Sequence, residues 1–298
     1  MRTDDEIRAV FRDAGATGWV HATPISGPRR EVAVGADESV VMASVYKLPL
    51  LVALCRRFAG GTLDPRAPVR VHPPSSSPGP TGVAAFLDPV TLSWRDLAAS
   101  MITVSDNAAA DVILGEVGLD AVRATIAECG LIGTTVVGGQ ADTEAALVRE
   151  TGATSAAEAF ALLADNDAAL TVSAYDPAFA SATTARDMTR LLSLIWSDAA
   201  GTAEQCAFMR RLLGLQIWPH RVRSGFPYAG VGIAGKTGTI GAIRNEVAVV
   251  TFPGETPVAV AVFTFAARAD AALPAVDAAI GRAAWLAVTV LRSGDLRR

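Results

Sequence analysis

Residues 245–252 and 257–265 constrain the fold most. Both are dense in valine and phenylalanine, and Pro253-Gly254-Glu255-Thr256 stands between them. Runs of β-branched and aromatic residues bounded by Pro and Gly read as the two strands of a hairpin. Two strands alone bury too little apolar surface to be stable in water, so further strands and a covering layer have to be found elsewhere. Residues 231–234 offer one more strand just before the hairpin. The remaining candidates, residues 19–22 and 31–34, lie at the opposite end of the chain, on either side of the breaker cluster 24–28.

The middle of the chain has helical patterning. Ser93 with Asp96, Ser155 with Glu158, and Thr184 with Asp187 carry the spacing of a capping box. After Thr184, the residues Met188, Leu191, Leu192 and Ile195 fall at i, i+3, i+4 and i+7, which is one apolar face of a helix. Residues 4–12 and 276–291 also have helical spacing, and residues 73–82 form a loop rich in proline, serine and glycine. The expected fold is α/β in the α+β sense: an antiparallel sheet made from both chain termini, flanking helices, and an inserted all-helical subdomain. All 298 residues form a single domain on this reading. Its α/β part covers about residues 1–43 and 214–298, and its helical part about residues 44–213. A cleft between two such parts is where a small-molecule site is expected.

Composition narrows the function. With 51% hydrophobic and 19% charged residues, the chain is neither disordered nor fibrous. Its 26 basic against 30 acidic residues argue against nucleic acid as a partner. Cys55, Cys129 and Cys206 have no CxxC spacing and are expected to be buried, and His21, His72 and His220 form no ligand pair, so neither a metal nor another cofactor is expected. The acidic start MRTDDEIRAVF is unlike an export leader, which predicts a cytoplasmic protein. The longest apolar stretches are interrupted by Lys47 or bounded by Arg282 and Arg292, short of a bilayer span, so no membrane partner is expected. A monomer acting on a small molecule is the plain expectation.

Lysine is the most informative residue type. Of the 26 basic residues only Lys47 and Lys236 are lysine, so these two places refuse arginine. A guanidinium stays charged at any working pH, whereas a desolvated ammonium can lose its proton and serve as a base. Ser44 lies three residues before Lys47, at the start of an apolar helical run, so one helical turn puts both side chains on one side. That pairing makes Ser44 a candidate nucleophile and Lys47 its proton acceptor. Ser105-Asp106-Asn107 lies between the two lysines, and Lys236 opens Lys236-Thr237-Gly238-Thr239. Read singly, the first of these is a helix cap and the second a turn. SxxK, SDN and KTG together, in this order, form a known catalytic set.

On these three motifs the sequence resembles the penicillin-recognising serine acyl transferases, and within them the class A β-lactamases and their cytosolic relatives. The resemblance implies a serine hydrolase that Ser44 serves as the acylated residue and Lys47 as base. It implies that Ser105 relays a proton to the leaving group and that Asn107 holds the substrate amide. Lys236 would bind a substrate carboxylate and lower the pKa of Lys47 by like-charge proximity, with Thr237 and Gly238 in the same binding edge. Ser44 and Thr239 would supply the oxyanion N–H groups. Arg244 falls near the place of an arginine that pairs with the substrate carboxylate, or else is a strand arginine paired with Glu246. The family's deacylating glutamate has its nearest counterpart in Glu144, within Glu144-Ala145-Ala146-Leu147-Val148, where valine stands in place of asparagine. Asp142 is a second possible carboxylate, and Glu144 can equally be a surface residue on an alanine-rich helix. If so, hydrolysis of the acyl-enzyme would be impaired or the acyl group would pass to an acceptor other than water, and the alternatives are an esterase or a transacylase or DD-peptidase-like acyl transfer.

A reading from another class starts at Gly230. Residues 230–237 satisfy GxxxxGK[ST], the phosphate-binding pattern of nucleotide hydrolases. That pattern needs a buried strand before it and a long helix after it. Residues 221–228 are polar and broken, and Gly238 and Gly241 follow, so the context disfavours it.

Overall fold

The computed structural model of the protein describes residues 2–27, 30–72, 79–164 and 171–292. Its centre is a five-stranded antiparallel sheet of β1 (Ala16–Pro24), β2 (Val32–Val34), β7 (Gly232–Ile240), β8 (Ile243–Thr251) and β9 (Val258–Ala266), in the order β2-β1-β9-β8-β7. Both chain ends thus enter one sheet, with Val20 opposite Val262 and Val250 opposite Val258. Nearly every residue of β8 and β9 is buried. Layers on both faces remove the need for polar alternation, which explains why the sequence there is a continuous apolar run.

One face carries α1 (Thr3–Asp13) and the closing helix α10 (Pro274–Arg292). Ile7 and Phe11 of α1 pack there with Ile280, Ala283 and Leu291 of α10 against Val20, Val250 and Val260. By length and composition α10 is long and apolar enough to cross a membrane, which corrects the expectation that no run reaches that length. Its buried side lies against this sheet, as the core helix of a layered fold requires.

The other face meets the helical part. It comprises α2 (Lys47–Ala59), α3 (Trp94–Thr103), α4 (Asn107–Val117), α5 (Leu119–Glu128), α6 (Gln140–Thr151), α7 (Ala156–Ala164), α8 (Ala185–Trp196) and α9 (Ala203–Gly214). The caps expected at Ser93, Ser155 and Thr184 are formed, each side-chain oxygen accepting the backbone N–H three residues on. Met188, Leu191, Leu192 and Ile195 of α8 are fully buried, and all three cysteines are buried and unpaired. Two short ribbons escape the sequence pattern: β3 (Val40–Val41) with β6 (Ala182–Thr183), and β4 (Pro68–Val71) with β5 (Val90–Ser93). Runs of two to four residues are too short for period-two alternation to show. Of the loop expected at residues 73–82, residues 73–78 lie outside the described ones.

Lys236 and Thr237 lie inside β7, extended and paired with Val247 and Glu246 of β8. A strand cannot wrap a phosphate, and β8 rather than a helix follows, so the nucleotide-binding pattern is accidental.

Candidate active site

Ser44 sits in a tight 3-10 turn, Ala43–Tyr46, that runs straight into α2. The residue before it, Ala43, has φ of 46°, a left-handed backbone that side chains rarely adopt. Three anchors hold this turn. Asn245, fully buried on β8, donates from Nδ2 to the carbonyls of Val41 (2.9 Å) and Met42 (3.2 Å). Met42 N–H donates to the carbonyl of Ser181. Gly238 of β7 comes so close that a Cβ there would stand 2.6 Å from the Met42 carbonyl oxygen. Gly238, expected from its motif at the binding edge, is therefore a point of backbone contact between β7 and the Ser44 turn.

Lys47 is completely buried at the first turn of α2. Its Nζ donates to the Ser105 carbonyl (2.8 Å), to Asn107 Oδ1 (2.9 Å) and, more weakly, to Ser105 Oγ (3.4 Å). Burial pulls its pKa down to about 7, although the carboxylates of Asp106, Asp111 and Glu144 pull the other way. Ser105 has φ of 61°. The adjacent Asp106 explains how that conformation is held: its carboxylate caps α4 at Ala109 N–H and accepts from Val83 N–H and Ser100 Oγ. Asp106 is thus the structural member of its motif, and the residues on either side of it reach Lys47.

Lys236 approaches Ser105 from the sheet. Its Nζ donates to Ser105 Oγ (2.9 Å) and to the Thr237 carbonyl (2.8 Å), so one hydroxyl lies between two buried lysine nitrogens. Burial lowers the Lys236 pKa well below the usual value, and the charge of Lys47 adds to this. Desolvation is the main cause for both lysines.

β7 is the sheet edge, so alternate N–H groups point away from β8. Thr237 N–H is one of these and donates to Gln216 Oε1 (2.6 Å). Two residues on, Thr239 N–H points the same way. Ser44 and Thr239 line one open cleft of about 120 Å³ together with Tyr46, Val137, Gln140, Asp142, Phe160 and Phe179.

Arg244 stands opposite Thr239 in register, yet its guanidinium closes the β7–β8 turn instead, donating to the carbonyls of Gly241, Ile243 and Asp270. Neither expectation for it is met, since Glu246 bonds to Gln216 and Val222. The arginine that reaches Thr239 and Gly238 is Arg221, which sequence reasoning passed over in a polar stretch among 24 arginines. It is 3% exposed, donates to Thr239 Oγ1 (2.8 Å) and to the carbonyls of Gly238 and Asn245 (2.9 Å each), and its Nε bonds Asp277 at 2.6 Å.

Glu144 is buried on α6, not a surface residue. Gln140, one turn earlier, donates from Nε2 to Glu144 Oε1 (2.8 Å), and burial raises the Glu144 pKa while Lys47 lowers it. Asp111 of α4 fixes the start of α6 by accepting N–H bonds from Gln140 and Ala141. Asp142 lines the cleft and accepts the Gly139 N–H. Gln140 and Asp111 are further residues that the motifs did not signal.

A sheet made from both termini, a helical insert, two buried lysines that share the Ser105 hydroxyl, and Ser44 one turn before the first of them are the features of the β-lactamase and penicillin-binding-protein class. The chain belongs to the β-lactamase enzyme family, whose model matches residues 2–290. It is 28% identical to the β-lactamase regulatory protein BlaB of Streptomyces cacaoi, over 98% of this chain and 96% of that protein. Among solved structures, the β-lactamase of Sphaerobacter thermophilus is similar with a TM-score of 0.78 at 23% identity, covering 99% of this chain and 97% of that one. A variant of PBP-A captured as an acyl-enzyme with penicillin G is similar with a TM-score of 0.76 at 18% identity, covering 99% and 96%.

Proposed function

We propose that the protein is a serine acyl-enzyme hydrolase that opens a β-lactam, or a related amide or ester carrying a carboxylate. The observation that carries this reading is the Ser105 hydroxyl held between Lys236 and Lys47, the latter one turn after Ser44 in sequence. Ser44 Oγ attacks the substrate carbonyl carbon and its proton passes to neutral Lys47 Nζ. The N–H groups of Ser44 and Thr239 receive the oxyanion. As the carbon–nitrogen bond breaks, the leaving nitrogen takes a proton from Ser105 Oγ, which the lysines replace. Asn107 holds the substrate amide. Lys236, Thr237 and Thr239 receive the carboxylate, with Arg221 behind the Thr239 hydroxyl adding positive charge. Water then attacks the Ser44 ester, Glu144 takes its proton, and Ser44 leaves with a proton restored. A burial-raised carboxyl suits that last role, because a general base works best with a pKa near the working pH. Every step uses groups of the chain itself, acting as a monomer on a small molecule in the cytoplasm.

A second reading is favoured by the bond from Gln140 to Glu144, which occupies one oxygen of the base, and by the regulatory name of the Streptomyces relative. Here the acyl-enzyme persists as a signal, or its acyl group goes to another acceptor. Intact mass followed over time after adding excess benzylpenicillin separates the two. The first reading expects a transient adduct with steady formation of the ring-opened acid, no adduct in Ser44→Ala, and a long-lived adduct in Glu144→Gln. A lasting adduct in the natural chain supports the second. Absence of any adduct from β-lactams and activated esters alike would refute both.

A further inference from the structure

Glu246 is a carboxylate that the reaction above does not use. It lies on β8 and is 1% exposed. Both oxygens are engaged by one surface segment: Oε1 accepts from Gln216 Nε2 (2.9 Å) and Oε2 from Val222 N–H (2.7 Å). Gln216 passes the connection on, since its Oε1 accepts the Thr237 N–H at the sheet edge. Val222 directly follows Arg221, whose guanidinium reaches Thr239 Oγ1 and the Gly238 carbonyl. One buried group therefore ties both ends of residues 216–222 to β8, and from those ends Gln216 and Arg221 reach β7. Burial pushes its carboxyl up to about 7, against the pull of Arg221 and Lys236, so the position is a costly one to fill with an acid.

We propose that Glu246 is a positioning residue that sets the carboxylate-binding edge of the cleft, holding Arg221 and the Thr237–Thr239 backbone in fixed relation. An acid is needed because it accepts twice. An amide at 246 accepts once, and turning the Gln216 amide to match it would bring that amide's own NH2 against the Thr237 N–H. The inference rests on the acylation reading above and concerns selection for substrates with a carboxylate.

The test measures the rate of covalent labelling by benzylpenicillin and by its methyl ester in the natural chain, in Glu246→Gln and in Gln216→Ala. The natural chain is expected to prefer the acid. Each variant should lose about tenfold of that preference, the size of one hydrogen bond to a charged group. The double variant should match the worse single one, because the two residues belong to one connection. A merely structural role would slow both probes together and leave their ratio unchanged, which would overturn the proposal, as would a natural chain without preference. Gln216 is only half-buried, so its variant decides the matter if Glu246→Gln does not fold. A natural chain labelled by neither probe, nor by an activated ester, would instead refute the acylation reading itself.

Discussion

At the scale of single residues, the two lysines were visible in the sequence because arginine had replaced lysine everywhere else. In the structure both are completely buried, and a guanidinium there would stay charged where an amine can give up its proton. Burial places the Lys47 pKa at about 7, so the fraction of neutral amine rises through neutral pH. The rate constant of acylation should therefore rise from pH 6 to pH 8 with a midpoint near 7. Lys47→Arg should remove the rise and lower the rate by about 10²- to 10⁴-fold, the usual share of a general base. Pre-steady-state labelling across that pH range reads both. A profile that is flat in the natural chain, or preserved in the arginine variant, would take the base role from Lys47. Linkage gives an independent sign. The folded protein releases the Lys47 proton near 7, whereas the unfolded chain keeps it to about 10.5, so this residue's part in stability improves as pH rises through that window. Arg221, Gln216 and Glu246 gave no comparable signal, because their importance lies in partners far away in sequence.

At the scale of elements, what was legible depended on length. The hairpin β8–β9, the helix α8 and the closing helix α10 could be placed because each has enough residues for its period to emerge. β7 was longer than the four residues expected: its Gly-Lys-Thr-Gly-Thr portion has turn composition but is held extended by β8. Gly238 explains that composition. Its missing side chain lets the edge strand touch the Ser44 turn at the Met42 carbonyl and Val45. Gly238→Ala should force the two apart, costing about 1–3 kcal/mol as other overpacked contacts do. The acylation rate should fall further than the stability alone would suggest, because Thr239 N–H and Ser44 N–H have to face a single oxygen. Thermal melting compared with labelling at a temperature where both proteins are folded tests this. Unchanged labelling in a destabilised Gly238→Ala would show that β7 and the turn need no such contact. α6 was the reverse case, since its alanine-rich sequence suggested a surface helix. Burial of Glu144 comes from α6 lying beside α4, a contact between elements that no local pattern encodes.

At the scale of the whole molecule, the site is assembled where the sheet, the helical part and α10 meet, so its geometry depends on packing behind the sheet as well as in the cleft. The clearest link is between α10 and residues 221–225. A Cβ on Gly281 would stand 2.3 Å from Ser224 Oγ and 2.5 Å from the Arg221 carbonyl oxygen, and one on Gly225 would stand 2.1 Å from the Gly281 carbonyl oxygen. One turn before Gly281, Asp277 grips Arg221 Nε. Anything that lifts α10 therefore displaces the arginine of the binding edge through its backbone and its side chain together. Gly281→Ala should lower stability by about 1–3 kcal/mol, the usual cost of an overpacked contact. It should also weaken the preference for acid over ester probes. A control separates the two effects. Leu192→Ala in α8 empties a fully buried position of the helical part, in a core cluster separate from that of α10, at a cost of about 2–5 kcal/mol. It should lower the melting temperature at least as far while leaving probe preference intact, because distant sites act independently. If the two variants shift preference equally, the binding edge responds to global loosening, and the coupling assigned to α10 is wrong. If only Gly281→Ala shifts it, the helix that closes the sheet also tunes what the cleft selects, which accounts for a glycine in the middle of a helix where alanine would otherwise stabilise it by about 1 kcal/mol.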